Sequence, residues 1–407
     1  MAQNTVGVNI LSSIVQLGGS NVGPFGDIIV AEPTPLVQLD FIYGINTQTG
    51  ASTTASGGTV DTSSGRLRLQ SGTNTAGSAI FQSKRLAKYR PGQGMQARFT
   101  CAWVTNEASS TQIVGAGTST DGYFFGYNGT SFGILHRNGG SDTWYPQATW
   151  NNDTCDGNGG SGFNWNPTLG NVMQIQYPFL GYGNITFWVQ NQANSQWILC
   201  HTIKYTNTPA SIQVSNPTLK FYAQAINSGS ATNKTMYVGS AMISLVGDEE
   251  YLQARWAIDN AKTVSTENCI INLKNATTYN GVTNTGIIRL KSIAACYANN
   301  SNAYAVVRMK KGVTIGGAPA YTPINGSTAD SGTTITSGNS VASYDTAGTT
   351  VTGGTYIWQV NMCQGGNAFL DLTEADLLIF PGEILTISGF ASTSATVSVG
   401  INWEEEV

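Results

Sequence analysis

Short runs in which apolar and polar residues alternate recur along this chain, and they constrain its fold more than any other feature. Residues 66–69 (RLRL), 173–177 (MQIQY) and 397–403 (VSVGINW) are clear examples. Alternation places one face of a strand in a core and the other face in water. Asn-Gly steps separate the runs and supply the positive-φ residues of tight hairpins: Asn128-Gly129, Asn138-Gly139, Asn280-Gly281 and Asn325-Gly326. The pattern predicts an all-β fold built from antiparallel sandwiches.

The composition restricts what such a fold can do. Only 10% of the 407 residues are charged, two are histidine and 48 are glycine. Catalysis needs titratable groups in pairs or clusters, so the chain has little material for an active site. The net charge of -4 argues against a general nucleic-acid binder, because such a protein needs a basic field to neutralise phosphates. The hydrophobic fraction of 41% is that of a globular protein.

The local composition predicts four segments. Residues 1–45 are expected to form an extended N-terminal arm. Residues 46–247 are expected to form a first, lectin-like jelly-roll sandwich, which opens with a polar loop or linker at 46–65. Residues 248–268 begin with a charged stretch (DEEYLQARW), and we interpret them as a hinge that could hold a helical turn. Residues 269–407 are expected to form a second sandwich, with a long polar insertion from 322 to 350.

The first residues of the sequence are not expected to act as a secretory signal. These residues, MAQNT, are neither basic nor apolar, as the start of a secretory signal would be. No run approaches the ~18 apolar residues of a membrane span. We therefore expect a protein that is assembled in the cytoplasm and does not insert into membranes.

No pattern points to a catalytic residue, a metal or a cofactor. His136 and His201 stand in strand-like runs outside any catalytic motif. Most acidic residues lie in turn signals or in the tail 404–406, and no strand is expected to carry two carboxylates on one face, as a glycosidase needs. The loop 153–162 (DTCDGNGGSG) lacks the spacing of a calcium loop and is better explained as an Asx-rich turn. The six cysteines have no C-x-x-C spacing and are interpreted as separate thiols, with disulfides left open.

Two groups of residues are candidates for contacts with other molecules. Aromatic side chains in loops can stack on sugar rings or anchor protein contacts, although packing at the edge of a core is their commoner fate. The only basic cluster could contact a phosphate or an acidic neighbouring subunit, the alternative being a solvated strand edge or an interface rim. The candidate contact tryptophans are Trp144, Trp150 and Trp165, and the candidate interface cations are Lys84, Arg85, Lys88 and Arg90.

Several stretches resemble virion proteins of tailed phages and large DNA viruses. They are residues 83–94 (SKRLAKYRPGQG) with 97–100, 121–137, 156–162 with 180–185, and, near the C-terminus, 380–387 (FPGEILTI) with 402–405. The C-terminal stretches are similar to the ends of phage fibre and baseplate-associated proteins. The resemblance implies β-sandwich modules and no known chemistry.

The leading interpretation is therefore a non-enzymatic structural component of a virus or phage particle: a capsid-associated, vertex, fibre or spike protein. It would be located in the virion and would assemble as a symmetric homo-oligomer, such as a trimer, with other virion proteins. Host glycans are the expected external ligand, and no cofactor is expected. The alternatives are a carbohydrate-binding module or adhesin and, less favoured, a polysaccharide hydrolase.

Overall fold

The computed structural model describes residues 33–247, 254–298, 304–324, 333–336, 340–363, 365–373, 375 and 377–406. The chain divides into two compact units, Met1–Glu249 and Glu250–Val407. Across these described ranges the regular elements are thirty β-strands and one turn of 3-10 helix at Gln147–Thr149, which confirms the all-β prediction. No helix in this part of the chain has the length and apolar character needed to cross a membrane.

The first unit is built from two large sheets. Its strands are β1 (Thr34–Asp40), β2 (Gly50–Ala55), β3 (Thr59–Ser63), β4 (Arg66–Gln70), β5 (Ser78–Ser83), β6 (Met95–Trp103), β7 (Ser110–Gly117), β8 (Gly122–Asn128), β9 (Ser131–Asn138), β10 (Ser141–Pro146), β11 (Asn171–Tyr177), β12 (Ile185–Gln190), β13 (Trp197–Ile203), β14 (Lys220–Asn227), β15 (Thr235–Val238) and β16 (Ser240–Leu245). The nine-stranded sheet has the order β13-β12-β11-β6-β15-β4-β3, and in it β16 pairs with both β6 and β1. The seven-stranded sheet has the order β10-β9-β8-β7-β14-β5-β2.

One apolar core joins the two sheets of the first unit into a sandwich. Phe99 of β6 contacts Phe125 of β8 and Phe221 of β14, with ring centroids 6.5 and 6.2 Å apart. The alternation in the sequence predicts which side chains of β4 face the core. Leu67 and Leu69 are fully buried, and the polar residues on either side of them are exposed or half-exposed. Burying a side chain of this size contributes about 1.5–3 kcal/mol relative to leaving it in water. The predicted first sandwich is confirmed.

The second unit is also built as a sandwich, and its sheets contain fewer strands than those of the first unit. Its strands are β17 (Ala254–Val264), β18 (Asn268–Asn275), β19 (Thr278–Tyr279), β20 (Val282–Thr283), β21 (Ile287–Ala298), β22 (Ala305–Ile315), β23 (Thr322–Pro323), β24 (Thr334–Ile335), β25 (Ala342–Asp345), β26 (Val351–Met362), β27 (Asn367–Asp371), β28 (Leu378–Ile379), β29 (Ile384–Ala391) and β30 (Ala395–Glu406). They form sheets of order β17-β30-β21-β27 (with β28 beside β21), β23-β25-β18-β29-β22-β26 and β20-β19-β24. In β30 the side chains of Val397, Val399, Ile401 and Trp403 are all buried on one face, as the alternation predicts.

The Asn-Gly steps fall where hairpins need them. Gly129 turns β8 into β9 at φ +61°, and Gly139 turns β9 into β10 at φ +57°. Asn280 and Gly281 both have positive φ between β19 and β20. These conformations favour glycine and asparagine over other residues. The fourth step, Asn325-Gly326, lies outside the described residues.

Three of the predicted segment boundaries are wrong. Residues 34–40 of the expected arm are β1, which pairs with β16 inside the first sandwich. The expected linker 46–65 holds β2 and β3, which are the outermost strands of their sheets and therefore tolerate a polar composition. The expected hinge 248–268 holds β17, which pairs with β30 along eleven residues. Residues 1–32 of the arm and 248–253 of the hinge lie outside the described residues.

Candidate functional site

The three tryptophans that were predicted as contact residues from their loop-like sequence do not form one exposed platform. Trp150 and Trp165 are only 5% and 4% exposed, and both belong to the core of the first unit. Their rings lie 5.8 Å apart, and Trp165 also contacts Phe132 at 5.0 Å. The loop segments fold back onto the sandwich because these large apolar surfaces gain more from burial than from solvent. The prediction that Trp150 and Trp165 contact a ligand at the surface is wrong.

Trp144 lies elsewhere, on the outer face of the seven-stranded sheet. It is half-buried on β10 and packs against a small apolar cluster formed by Phe124, Leu135 and Tyr222. Its cross-strand partner on β9 is Leu135. Trp144 therefore remains available as a contact residue, but without the two partners that the sequence suggested.

The basic cluster lies in the connection between β5 and β6. Lys84, Arg85, Lys88 and Arg90 are all half-buried, and each already takes part in an interaction. The connection is fastened to the sheet through the bridge between Ala87 and Leu219. The cluster is thus part of the packed surface of the first unit, and its role as an interface remains a prediction.

Both histidines are strand residues with packed rings. The Nε2 atom of His136 lies 2.6 Å from the carbonyl oxygen of Gln213, and burial lowers its pKa. Burial lowers the pKa of His201 further, to about 4. Its Nδ1 accepts the backbone N–H of Asn151 at 3.2 Å. Neutral imidazoles held in this way suit a structural role.

The glycine-rich loop 153–162 is an Asx turn, as predicted. The two carboxylate oxygens of Asp153 accept the backbone N–H groups of Cys155 at 2.8 Å and Ser161 at 2.7 Å. Across the described ranges no group of three His, Cys, Asp or Glu residues is placed to hold a metal ion. The thiols of Cys155 and Cys200 lie 3.5 Å apart in the core, a proximity that their separation in sequence does not reveal.

The acidic tail differs from its prediction. Glu404 and Glu406 belong to β30 and share one face, so a strand does carry two carboxylates at this spacing. Glu404 is held between Arg255 at 3.0 Å and Lys291 at 2.9 Å. Glu405 points the other way and is buried, where it accepts hydrogen bonds from Ser340, Val341 and Trp403. Burial raises the pKa of Glu405, although these hydrogen bonds oppose the effect.

A different surface combines aromatic and polar groups in the manner of a binding site. It is the outer face of the nine-stranded sheet, where one row of paired residues crosses four strands. The register places Met242 of β16 beside Arg98 of β6, Arg98 beside Gln174 of β11, and Gln174 beside Trp188 of β12. Trp197, at the start of β13, stands one row away. We call these five residues the Arg98 face.

Arg98 is the centre of this face. Its Nε donates a hydrogen bond to Oε1 of Gln174 at 2.6 Å, and its guanidinium carbon lies 5.6 Å from the ring centroid of Trp197. Burial lowers the pKa of Arg98 from its ordinary value. The Nε2 atom of Gln174 is buried and has no hydrogen-bond partner. The fold thus leaves this one buried amide donor behind the face without a partner.

A groove of about 480 Å³ runs beside Arg98. Its walls mix polar and apolar groups: Gln38 and Asp40 of β1, Arg98 and Thr100 of β6, Val172 of β11, and Ser240 and Met242 of β16 are among them. Val172 pairs with Thr100 in this part of the sheet, and Trp197 pairs with Gln190 at the end of β12. A volume of this order, lined by apolar surface with a few placed polar groups, is typical of small-molecule sites.

This face was not predicted from the sequence, although the sequence contains one indication of it. The run 185–190 (ITFWVQ) alternates, and Trp188 occupies a polar position within it, opposite to the buried Phe187 and Val189. Large aromatic residues are usually buried, so a tryptophan at a solvent-facing position of a strand indicates a possible contact surface. The position of Arg98 beside Gln174 depends on strand pairing between segments 76 residues apart and could not be read from the sequence.

No family model and no curated protein matches the sequence. Among solved structures, the chain is similar to the cellulose induced protein Cip1, with a TM-score of 0.35 and 13% identity over 51% of this chain and 96% of that one. It is also similar to a legume lectin-like domain from Entamoeba histolytica (TM-score 0.32, 14% identity, 53% and 100% of the two chains) and to the Emp47p carbohydrate recognition domain (0.31, 10%, 52% and 93%). No function is taken from these likenesses.

Proposed function

We propose that this chain is a non-catalytic carbohydrate-binding protein that holds a saccharide on the Arg98 face. The observation that carries the proposal is the half-buried Trp197, whose ring lies 5.6 Å from the guanidinium carbon of Arg98, a residue that lines a groove of about 480 Å³; Trp188 is half-buried on the neighbouring strand. Both indoles lie on the solvent side of the nine-stranded sheet, where packing against the core does not account for them.

The chemistry of a sugar matches what this face offers. A pyranose ring has an apolar C–H face and a rim of hydroxyl groups, so it needs a flat aromatic surface together with side chains that donate and accept hydrogen bonds. Trp197 supplies the flat surface. Arg98 supplies donors, and Gln38 and Asp40 supply acceptors at the other end of the groove.

A matched pair of tryptophan variants tests the proposal. The full chain would be screened on a glycan array, and the best ligand would then be measured by titration calorimetry. Trp197→Ala is expected to weaken binding by at least tenfold, because a central aromatic contact typically contributes about 2 kcal/mol or more. Trp144→Ala, a half-buried tryptophan on the other sheet, is the control and should leave affinity unchanged. Equal affinity in the two variants would refute the site.

We also propose, as a second function, that the chain assembles with itself and with other proteins of a virus particle. Large apolar side chains on edge strands of the second unit support this role. Phe369 on β27 is 71% exposed, and Tyr356 on β26 is 57% exposed. Sedimentation of the purified chain should show an oligomer that Phe369→Asp weakens. A monomer at all concentrations, or absence of the chain from purified particles, would contradict the proposal.

A further inference from the structure

Arg98 is half-buried and has no acidic partner among the described residues. No ion pair or further hydrogen bond reaches it from the part of the chain that the structure describes, apart from the bond to Gln174. Elsewhere the fold neutralises its guanidinium groups with carboxylates: Arg68 with Asp61 at 2.5 Å, Arg137 with Asp142 at 2.6 Å, Arg255 with Glu404 at 3.0 Å and Arg308 with Glu267 at 3.1 Å.

The residues beside Arg98 in the sheet offer no opposite charge. Its neighbours across the sheet are Met242 and Gln174, and both are uncharged. The acidic residue that lines the groove, Asp40, is exposed and accepts the backbone N–H of Ile42 instead. A charge that is partly removed from water without an opposite charge destabilises the folded protein. Such a cost is typical of a group that is kept for a ligand.

The orientation of the guanidinium defines what can bind. Nε is engaged with Gln174, and the ring of Trp197 lies beside the guanidinium carbon. No described residue accepts a hydrogen bond from either Nη atom, so both remain as donors. Two parallel N–H donors match the two oxygens of a carboxylate, and such charge-assisted pairs are stronger than neutral hydrogen bonds.

We propose that the saccharide bound by the Arg98 face is acidic, and that its carboxylate pairs with the Nη1 and Nη2 atoms of Arg98 while its ring stacks on Trp197. The inference rests on the proposed carbohydrate-binding function. It narrows the ligand to sugars that carry a carboxyl group, such as oligomers of a uronic acid.

The experiment compares ligands that differ only in the acidic group. Titration calorimetry would measure trigalacturonic acid, its methyl ester and a sulfated galactose trisaccharide against the full chain. The acid is expected to bind about 10- to 100-fold more tightly than the ester, which is the range for hydrogen bonds to a charged group. Arg98→Met should remove this preference, so that the acid and the ester bind with equal affinity, whereas Trp197→Ala should weaken both ligands and keep the preference.

The possible failures are distinguishable. If wild-type protein binds the ester as tightly as the acid, the acidic ligand is refuted while carbohydrate binding stands. If the sulfated sugar binds more tightly than the carboxylated one, the pairing with a carboxylate is refuted. If no sugar binds, the proposed function itself fails. Thermal melting without ligand is a second readout: Arg98→Met should melt at a higher temperature, and a lower one would show that Arg98 serves the fold and not a ligand.

Discussion

His201 should make the stability of the first unit depend on pH between 7.5 and 5. The imidazole is buried on the inner side of β13, with the ring of Tyr145 4.9 Å away. Nδ1 accepts the backbone N–H of Asn151, so the ring proton is carried by Nε2, which is buried without a partner. Protonation would place a second donor against the Asn151 N–H and a charge in the core, which agrees with a pKa lowered to about 4.

The size of the effect follows from this pKa. In the unfolded chain the imidazole binds a proton near its ordinary value of 6.5, whereas in the folded chain it stays neutral down to about pH 4. The stabilisation is therefore fully present above pH 6.5 and is lost as the pH falls towards 4. With 1.36 kcal/mol for each pKa unit, the folded state should lose about 2 kcal/mol between pH 7.5 and 5 from this one group.

Urea unfolding of wild-type protein and of His201→Gln at the two pH values measures this loss. Glutamine can still accept the N–H of Asn151 but does not titrate, so the variant should lose about 2 kcal/mol less than wild type over the same interval. His136→Gln is the matched control for the other histidine, whose pKa is also lowered by burial. The reasoning is refuted if wild type and His201→Gln lose equal stability, or if NMR titration of the His201 ring gives a pKa near 6.5.

Three further predictions concern buried groups. Trp165→Ala should cost about 3–5 kcal/mol in urea unfolding because it empties a filled core, whereas Trp144→Ala should cost less than about 2 kcal/mol. Burial alone would raise the pKa of Glu267, but its bonds to Lys310 and Ser388 lower it, so stability should be lost as the pH falls below about 4.5, and Glu267→Gln should abolish that loss. Burial lowers the pKa of Lys234, so wild type should gain stability relative to Lys234→Met as the pH rises towards 10.5, and unfolding at pH 8 and 10 measures this gain.

The parts of the fold that were predictable are those in which local pattern and burial agree. The alternation of 397–403 placed Val397 and Trp403 on the core face of β30, and the Asn-Gly steps marked three described hairpin turns. The prediction failed where a strand lies at the edge of a sheet. Residues Thr59–Ser63 were predicted as a linker because an edge strand can be polar on both faces. Residues Ala254–Val264 were predicted as part of a hinge because the charged and polar side chains of an edge strand also suit an exposed segment.

The candidate site was less predictable because it depends on register. The row that sets Arg98 beside Gln174 and Met242 combines three strands that are distant in sequence, and a slip of one residue in any of them would turn its side chains to the core. The sequence shows that glutamines occupy the polar phase of β11. It does not show that an arginine without a carboxylate partner stands next to them.

Comparison of four tryptophans leads to a more general conclusion about which aromatic residues reach the surface. Trp150 and Trp165 lie in segments without regular structure, yet they are in the core, whereas Trp188 and Trp197 lie in strands and face outwards. A loop has no fixed direction for its side chains, so a large apolar residue there can turn inwards and gain the free energy of burial. A strand residue has no such freedom, since its direction is fixed by the alternation of its neighbours. An aromatic residue in the polar phase of a strand therefore stays at the surface despite its hydrophobicity, and its phase is better evidence for a binding surface than a place in a loop.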